Sequence, residues 1–295
     1  MHAPDATLTE LLDLLRLEPI EERIFRGRSQ DLGWGNVFGG QVLGQALSAA
    51  ARTVPVDRPV HSLHAYFLRT GDARRPIVYE VDPIRDGASF TTRRVVAVQG
   101  GNAIFTLAAS FQVEEPGLSH ATEMPEVPGP EGLLSELDIA RKYAHHIPEP
   151  LRPMALADRP IEIRPVQRHN LLDPKPLPPR RQLWYRASGG RLPDDPAVHR
   201  YLLAYASDFN FLVTAMLPHA VSWLTPGMQV ASLDHAMWFH RPFRMDDWLL
   251  YDMESPWAGG ARGLVTGRFF NRAGELVASV AQEGLMRDRR EKPGA

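Results

Sequence analysis

The sequence contains no cysteine. That absence excludes disulfides, a thiol nucleophile and any cysteine-ligated zinc or iron–sulfur centre. Long apolar runs are missing too: no stretch reaches the ~18 uncharged apolar residues of a membrane-spanning helix. The amino-terminal MHAPDATLTELLDLLRLEPIEERIF lacks both the basic start and the unbroken apolar core of a signal peptide. Neither sign of charge dominates. A net charge of −2 and a pI near 6.6 leave no electrostatic footprint for nucleic acid or an acidic membrane. The carboxyl-terminal KPGA is no peroxisomal address. The expectation is a soluble cytoplasmic protein, with no nucleic-acid partner, no membrane partner, no metal and no cofactor.

What is present is an ordinary globular composition, 44% hydrophobic and 23% charged, on a chain of 295 residues. That length holds two domains or one large one with a sizeable core. Thr7 and Glu10 fit a capping box ahead of Leu11, Leu12, Leu14 and Leu15, which predicts a short leading helix. Of the 26 prolines, 15 lie between Pro116 and Pro196. Proline at that density removes backbone donors and blocks helix, so this stretch reads as linker and irregular surface. Two ordered pieces are expected inside it, a helix in GLLSELDIARKYAHHI and a short strand in RPIEIRPV.

On either side of the linker one outline occurs twice. FGGQVLGQALSAAARTV and YLLAYASDFNFLVTAML are helix candidates, each followed by about four strand candidates with short turns. A shift of 172 residues lays Phe67 on Phe239, Arg69 on Arg241, Tyr79 on Tyr251, Gly87 on Gly259 and Ala109 on Ala281, without a gap. RRVVAVQGGNAIFTLAASFQ reads as a hairpin turning at Gly100-Gly101-Asn102, and GLVTGRFFNRAGELVASVAQEG repeats it with a turn at Asn271 to Gly274. RIFRGRS and QLWYRAS add a strand before each helix. From Val37 to Ala51 no residue is charged, the mark of a buried helix. The fold class expected is α+β: a tandem hotdog of two antiparallel sheets, each wrapped around a long central helix, joined by a proline-rich linker. The boundaries are 1–115 for the first hotdog with its leading helix, 116–180 for the linker, 181–288 for the second hotdog and 289–295 for a tail.

Six strings in order, FGGQVLGQAL, HSLHAYFLRTGD, IRDGASFTTRRV, YASDFNFL, LDHAMWFHRPF and VAQEGLMR, resemble acyl-CoA thioesterase II. The resemblance runs from about Arg23 to Arg287. It implies a double-hotdog enzyme that hydrolyses acyl-CoA and works as a dimer or tetramer. It also implies an Asp, a Thr and a Gln that hold and activate a water. The Asp falls on Asp208 and the Gln on Gln282. The Thr position carries Ser232, which keeps the hydroxyl and loses the methyl that fixes the rotamer.

The residues themselves support this chemistry. LLAYASDFNFLVTAML holds one charge, Asp208, and a carboxylate in apolar surroundings is costly unless something bonds it or uses it. Burial raises a carboxylate's basicity towards that of a useful base. With no cysteine and no GxSxG elbow, water attack is left as the route to thioester hydrolysis. Oxyanion donors are expected at the start of the first helix, in GWGNVFGGQ, with Gly39 and Gly40 approaching the substrate. At the 172 shift Asp208 faces Asn36, Gln282 faces Ser110 and Ser232 faces Val60, so one site per chain is expected.

Blander readings compete. Asp208 alone is equally well a satisfied core carboxylate, Ser232 an ordinary strand hydroxyl and Gln282 a solvated strand end. His61 and His64 alternate like metal ligands but lack a third, so a core, interface or substrate-contacting role is left for His61. Asp234-His235 and His240 raise a hydratase dyad without reproducing its pattern. Arg93, Arg94 and Arg262 face either CoA phosphates or solvent. Three functions follow: an acyl-CoA thioesterase, a hotdog acyl-CoA hydratase or dehydratase, and a non-catalytic acyl-CoA binding module.

Overall fold

Gly100 and Gly101 take φ values of 59° and 80°, the left-handed conformations that a tight two-residue hairpin turn demands. This fixes the first hairpin where the sequence placed it. In the computed structural model, which describes residues 5–290, the first half runs α1 (Ala6–Leu15), β1 (Glu18–Glu21), β2 (Ile24–Gly27), α2 (Gly39–Ala51), β3 (Val60–Phe67), β4 (Ile77–Asp86), β5 (Phe90–Gln99) and β6 (Asn102–Gln112). The proline-rich stretch holds α3 (Glu136–Lys142), α4 (Arg152–Ala155) and β7 (Ile161–Pro165). The second half follows with β8 (Arg180–Ala187), α5 (Pro196–Ser207), α6 (Phe211–Met216), β9 (Met228–Ser232) and β10 (Asp234–Phe239). It closes with β11 (Leu249–Gly259), β12 (Arg262–Phe270) and β13 (Leu276–Asp288). Most of the expected 289–295 tail lies outside the described residues.

The strands form one sheet, not two. Its order is β1-β2-β4-β5-β6-β3-β10-β13-β12-β11-β8-β7, antiparallel throughout, with β9 paired to the end of β13. The seam is β3 against β10, where His64 faces Ala236 and Leu63 faces Met237. Each half alone would leave one of these strands as an unpaired edge, so joining them satisfies both rows of backbone groups. Alternation along each strand does not reveal which edges meet.

The 172-residue shift can be followed through the element order. It lays the start of α2 on the start of α6, and β4 on β11. Tyr79 on β4 donates its hydroxyl to Gln45 Oε1 of α2 at 2.6 Å, while Tyr251 on β11 donates to the Ser207 carbonyl at the end of α5 at 3.1 Å. The second central helix, however, is broken. YLLAYASDFNFLVTAML is α5 and α6 with an interruption at Asp208, Phe209 and Asn210, and Asn210 sits at φ 65°. Apolar residues run straight through this break, so nothing in their pattern marks it.

Two further expectations are corrected. The leading helix is capped by Asp5, whose carboxylate accepts from Leu8 N at 2.9 Å and from the Thr7 hydroxyl at 2.8 Å. An aspartate two residues earlier takes the capping role expected of Thr7. The proline-rich stretch is also more than a connector. The helix and the strand expected inside it are present as α3 and β7, and β7 extends the sheet through Ile163 against Tyr185. Pro128 accepts from Trp184 Nε1 at 2.9 Å, and Met124, Val127 and Leu133 pack on a second small core of Trp184, Trp248, Leu250 and Phe270. Proline prevents long helix here but does not prevent packing. Among the described residues no helix is long and apolar enough to cross a membrane.

Candidate active site

The break between α5 and α6 is built by buried polar side chains. Where a helix stops, its last carbonyls need new donors. Tyr251 supplies one to Ser207, and Tyr185 supplies one to Phe209 at 2.9 Å. Arg181 Nη1 donates to Asn210 Oδ1 at 2.9 Å, and Asn210 Nδ2 donates to Glu136 Oε1 of α3 at 3.2 Å. Burial raises the Glu136 pKa and lowers that of Arg181, each partly offset by the other's charge. The linker helix therefore docks on the residue two beyond Asp208.

Asp208 occupies the C-cap of α5, the negative end of the helix dipole, where a carboxylate gains nothing from the helix. It is half-buried rather than enclosed in apolar side chains, because the break turns it to the wall of a cavity. The enclosure expected from its apolar neighbours belongs to those neighbours, which pack inward on either side. Ser232 Oγ donates to Asp208 Oδ1 at 3.2 Å. Gln282 Nε2 donates to Ser232 Oγ at 2.9 Å. So the structure brings the three sequence candidates into one hydrogen-bonded row, drawn from a helix break, the end of β9 and the middle of β13.

Strand geometry explains the meeting. β13 pairs with β10 up to Ala281 and with β9 from Gly284 onwards. Gln282 falls at the joint and alternates inward with Ala278, Val280 and Gly284, so it is 1% exposed and not a solvated strand end. Glu283 points outward instead and pairs with Arg262 at 3.0 Å.

The first half reaches the same place through the start of α2. Phe38, its N-cap, makes no side-chain cap and stacks on Phe209 at 4.2 Å between ring centroids. A Cβ on Gly39 would lie 2.6 Å from Asp208 Oδ2. The first backbone N–H groups of α2, which have no intrahelical acceptors, thus start beside the carboxylate. The cavity measures about 1990 Å³ and is lined by Gly39, Asp208, Ser232 and Gln282 together with Trp34, Leu212, Met216 and much of α3, α4 and the loops around them. The proline-rich stretch is one of its walls.

A family model described as acyl-CoA thioesterase matches residues 151–285, and one described as acyl-CoA thioesterase N-terminal domain matches residues 29–112. Acyl-CoA thioesterase 2 of Haemophilus influenzae is 45% identical over 280 residues, which are 95% of this chain and 98% of that protein. The chain belongs to the acyl-CoA thioesterase family. An acyl-CoA thioesterase II, TesB2, from Mycobacterium marinum superposes with a TM-score of 0.77 at 45% identity, over 94% of this chain and 98% of its own. A conserved protein of unknown function with a hotdog fold from Alicyclobacillus acidocaldarius, 20% identical, superposes at 0.74 over 97% and 99% of the two chains. The fold of this acyl-CoA thioesterase family member is accordingly a hotdog fold.

Not every candidate residue lies at this family member's cavity. Gly40 is buried where α2 meets α5, and a Cβ there would overlap the Tyr205 carbonyl oxygen. Its glycine serves helix packing, while Gly39 alone of the pair lines the cavity. His61 lies on β3 away from the cavity, its Nε2 within 2.8 Å of Ser110 Oγ and its ring against Phe90. Arg93 is buried against Thr53 and Asp86, Arg94 pairs with Asp82, and Arg262 is held by Glu283, so intramolecular partners engage all three. Among the described residues no group of three or more His, Asp or Glu is arranged to hold a metal ion.

Sequence reasoning set His235 aside, yet it is wholly buried with Nδ1 2.5 Å from Gln282 Oε1 and Nε2 2.9 Å from Ser207 Oγ. The signal was in the alternation of LDHAMWF, which places His235 inward with Met237 and Phe239. Asp234, its neighbour, points the other way and accepts from Glu283 N at 2.6 Å. The two do not form a dyad.

Proposed function

We propose that this protein is an acyl-CoA thioesterase that hydrolyses fatty acyl-CoA to free fatty acid and CoA. In this reading two hotdog units stand in tandem within the shared sheet, and one site per chain uses a water activated by Asp208 with Ser232 and Gln282. The observation that carries it is the row Asp208–Ser232–Gln282 on the wall of a large cavity, with the start of α2 alongside.

The Ser232 hydroxyl donates to Asp208 Oδ1, and Oδ2 is the oxygen that takes the water proton. A water on Oδ2 is further held by a second N–H of Gln282 or a lone pair of Ser232. It attacks the thioester carbonyl carbon as Asp208 takes its proton. The oxyanion forms beside the α2 terminus, where backbone N–H donors and the helix dipole stabilise it. Collapse breaks the C–S bond, and Asp208 returns the proton to the leaving thiolate. The balance is one thioester and one water to one carboxylic acid and one thiol. The first half carries Asn36 at the place of Asp208, which supports a single acid per chain.

Ser232 replaces a threonine of the resembling family, and its methyl is not needed for the hydrogen bond. Ser232→Thr is expected to keep kcat within about threefold. Ser232→Ala leaves Gln282 Nε2 and Asp208 Oδ1 without their shared partner and is expected to lower kcat by about 10–100-fold. Steady-state thiol release from one good acyl-CoA substrate measures both.

The test of the reaction is release of free thiol from a panel of acyl-CoAs of increasing chain length, with the products identified. Thiol and fatty acid in equal amounts support the thioesterase. A hydrated acyl-CoA with the thioester intact would replace it by a hydratase. Binding without turnover of any chain length would make the protein a binding module.

A further inference from the structure

Five buried or half-buried polar groups stand in a continuous row: Ser207 Oγ, the His235 ring, the Gln282 amide, Ser232 Oγ and Asp208 Oδ1. The contacts are 2.9, 2.5, 2.9 and 3.2 Å. Hydrogen-bond bookkeeping gives the row a direction. Gln282 shows its oxygen to one neighbour and its NH2 to the other. If the amide were reversed, its oxygen would face Ser232 and draw that hydroxyl's one proton away from Asp208. The distances alone do not forbid this reversal.

We infer that His235 is a positioning residue: its Nδ1–H holds Gln282 Oε1, fixes the amide orientation, and so commits the Ser232 proton to Asp208. The inference rests on the proposed roles of Asp208, Ser232 and Gln282. A reversed amide would set NH2 against N–H at 2.5 Å, which is repulsive. Ser207, behind the ring, accommodates that tautomer. Ser207 has one hydroxyl proton and two acceptors at 2.9 Å, the Ala204 carbonyl and His235 Nε2. With Nδ1 protonated, Nε2 is an acceptor and takes that proton. Burial lowers the His235 pKa and favours this neutral ring, against the charge of Asp208, the bond to Gln282 and the charge of Asp234, which act the other way. Every donor in the row then points towards Asp208.

Chemistry at the imidazole distinguishes this from a residue that merely fills the core. An asparagine amide nitrogen falls near the Nδ1 position, whereas a glutamine nitrogen falls nearer Nε2. His235→Asn is therefore expected to retain most of kcat despite its lost volume. His235→Leu and His235→Gln are expected to lose about 10²-fold in kcat, the scale of a displaced reacting group, with KM for acyl-CoA little changed. Circular dichroism and thermal melts confirm that each variant folds.

The inference is overturned if folded His235→Leu keeps kcat near the wild type, or if folded His235→Asn is as impaired as His235→Leu. A second measurement does not depend on turnover. Long-range nitrogen–proton NMR of the imidazoles, with the His235 signals identified by their loss in His235→Asn, is expected to show a protonated Nδ1 and an unprotonated Nε2. The opposite tautomer or a doubly protonated ring overturns the inference even where activity assays agree with it. Should the wild type release no thiol from any acyl-CoA, the proposed reaction fails while the tautomer still decides the arrangement of the row.

Discussion

Asp208→Asn is expected to abolish most thiol release while leaving the protein folded. The substitution is isosteric, and its amide oxygen can still accept from Ser232 as Asp208 Oδ1 does at 3.2 Å. The α5–α6 break is held by Tyr185, Tyr251, Arg181 and Asn210, none of which bonds to the Asp208 side chain. What is lost is the only carboxylate in the row, and with it the acceptor for the water proton. General-base catalysis is worth about 10²–10⁴-fold, so kcat should fall by that factor. KM should move much less, because the other residues lining the cavity are untouched. Side-by-side thiol assays with circular dichroism spectra check this. Hydrolysis that persists within tenfold of the wild type would keep the reaction but place the base elsewhere. Unfolding would instead show that the carboxylate is needed to close the helix break.

That prediction was half legible before any coordinates. One charge in sixteen residues singled out Asp208 without deciding between a satisfied core carboxylate and a working acid, and Gln282 beside Glu283 read equally well as a solvated strand end. Neither pattern reveals that the helix breaks at Asp208. The break depends on Asn210 adopting φ 65° with Arg181 and Glu136 at its side chain, and these residues come from 29 and 74 positions away. The β3–β10 seam escaped for a related reason. Two strands of like pattern state that each needs a partner, but not that each is the other's. His235 lay between these cases. Its inward phase was readable, but the imidazole gains meaning only when β10 and β13 pair Ala236 with Ala281 and so bring His235 across from Gln282. The proline-rich stretch was read correctly as poor in helix. Its role as a cavity wall follows from packing, on which proline content has no bearing.

The two adjacent glycines at the start of α2 should respond in opposite ways to one added methyl. In Gly39→Ala the new Cβ would sit 2.6 Å from Asp208 Oδ2 and 2.9 Å from Phe67 Cε1, both ends of side chains that can turn away. Relief comes from displacing the carboxylate, so kcat should fall by about 10²-fold, as for a reacting group moved by an ångström. Stability should change little, since alanine loses less backbone entropy than glycine on folding. In Gly40→Ala the clash is with the backbone carbonyl of Tyr205 and the Phe38 ring, and a backbone carbonyl inside α5 cannot turn away. The helices α2 and α5 must separate, an overpacking cost of about 1–3 kcal/mol or more. At about 2–4 °C of melting temperature per kcal/mol for a chain of this class, Gly40→Ala should melt several degrees lower. Its folded fraction should retain more activity than Gly39→Ala, because Gly40 does not touch the cavity. Thermal melts and kcat measured on both variants decide it. A Gly39→Ala protein of normal activity would remove the α2 terminus from the site. A Gly40→Ala protein of normal stability would show that α2 and α5 are free to slide, and the Phe38–Phe209 stack and the β3–β10 seam would then align the halves.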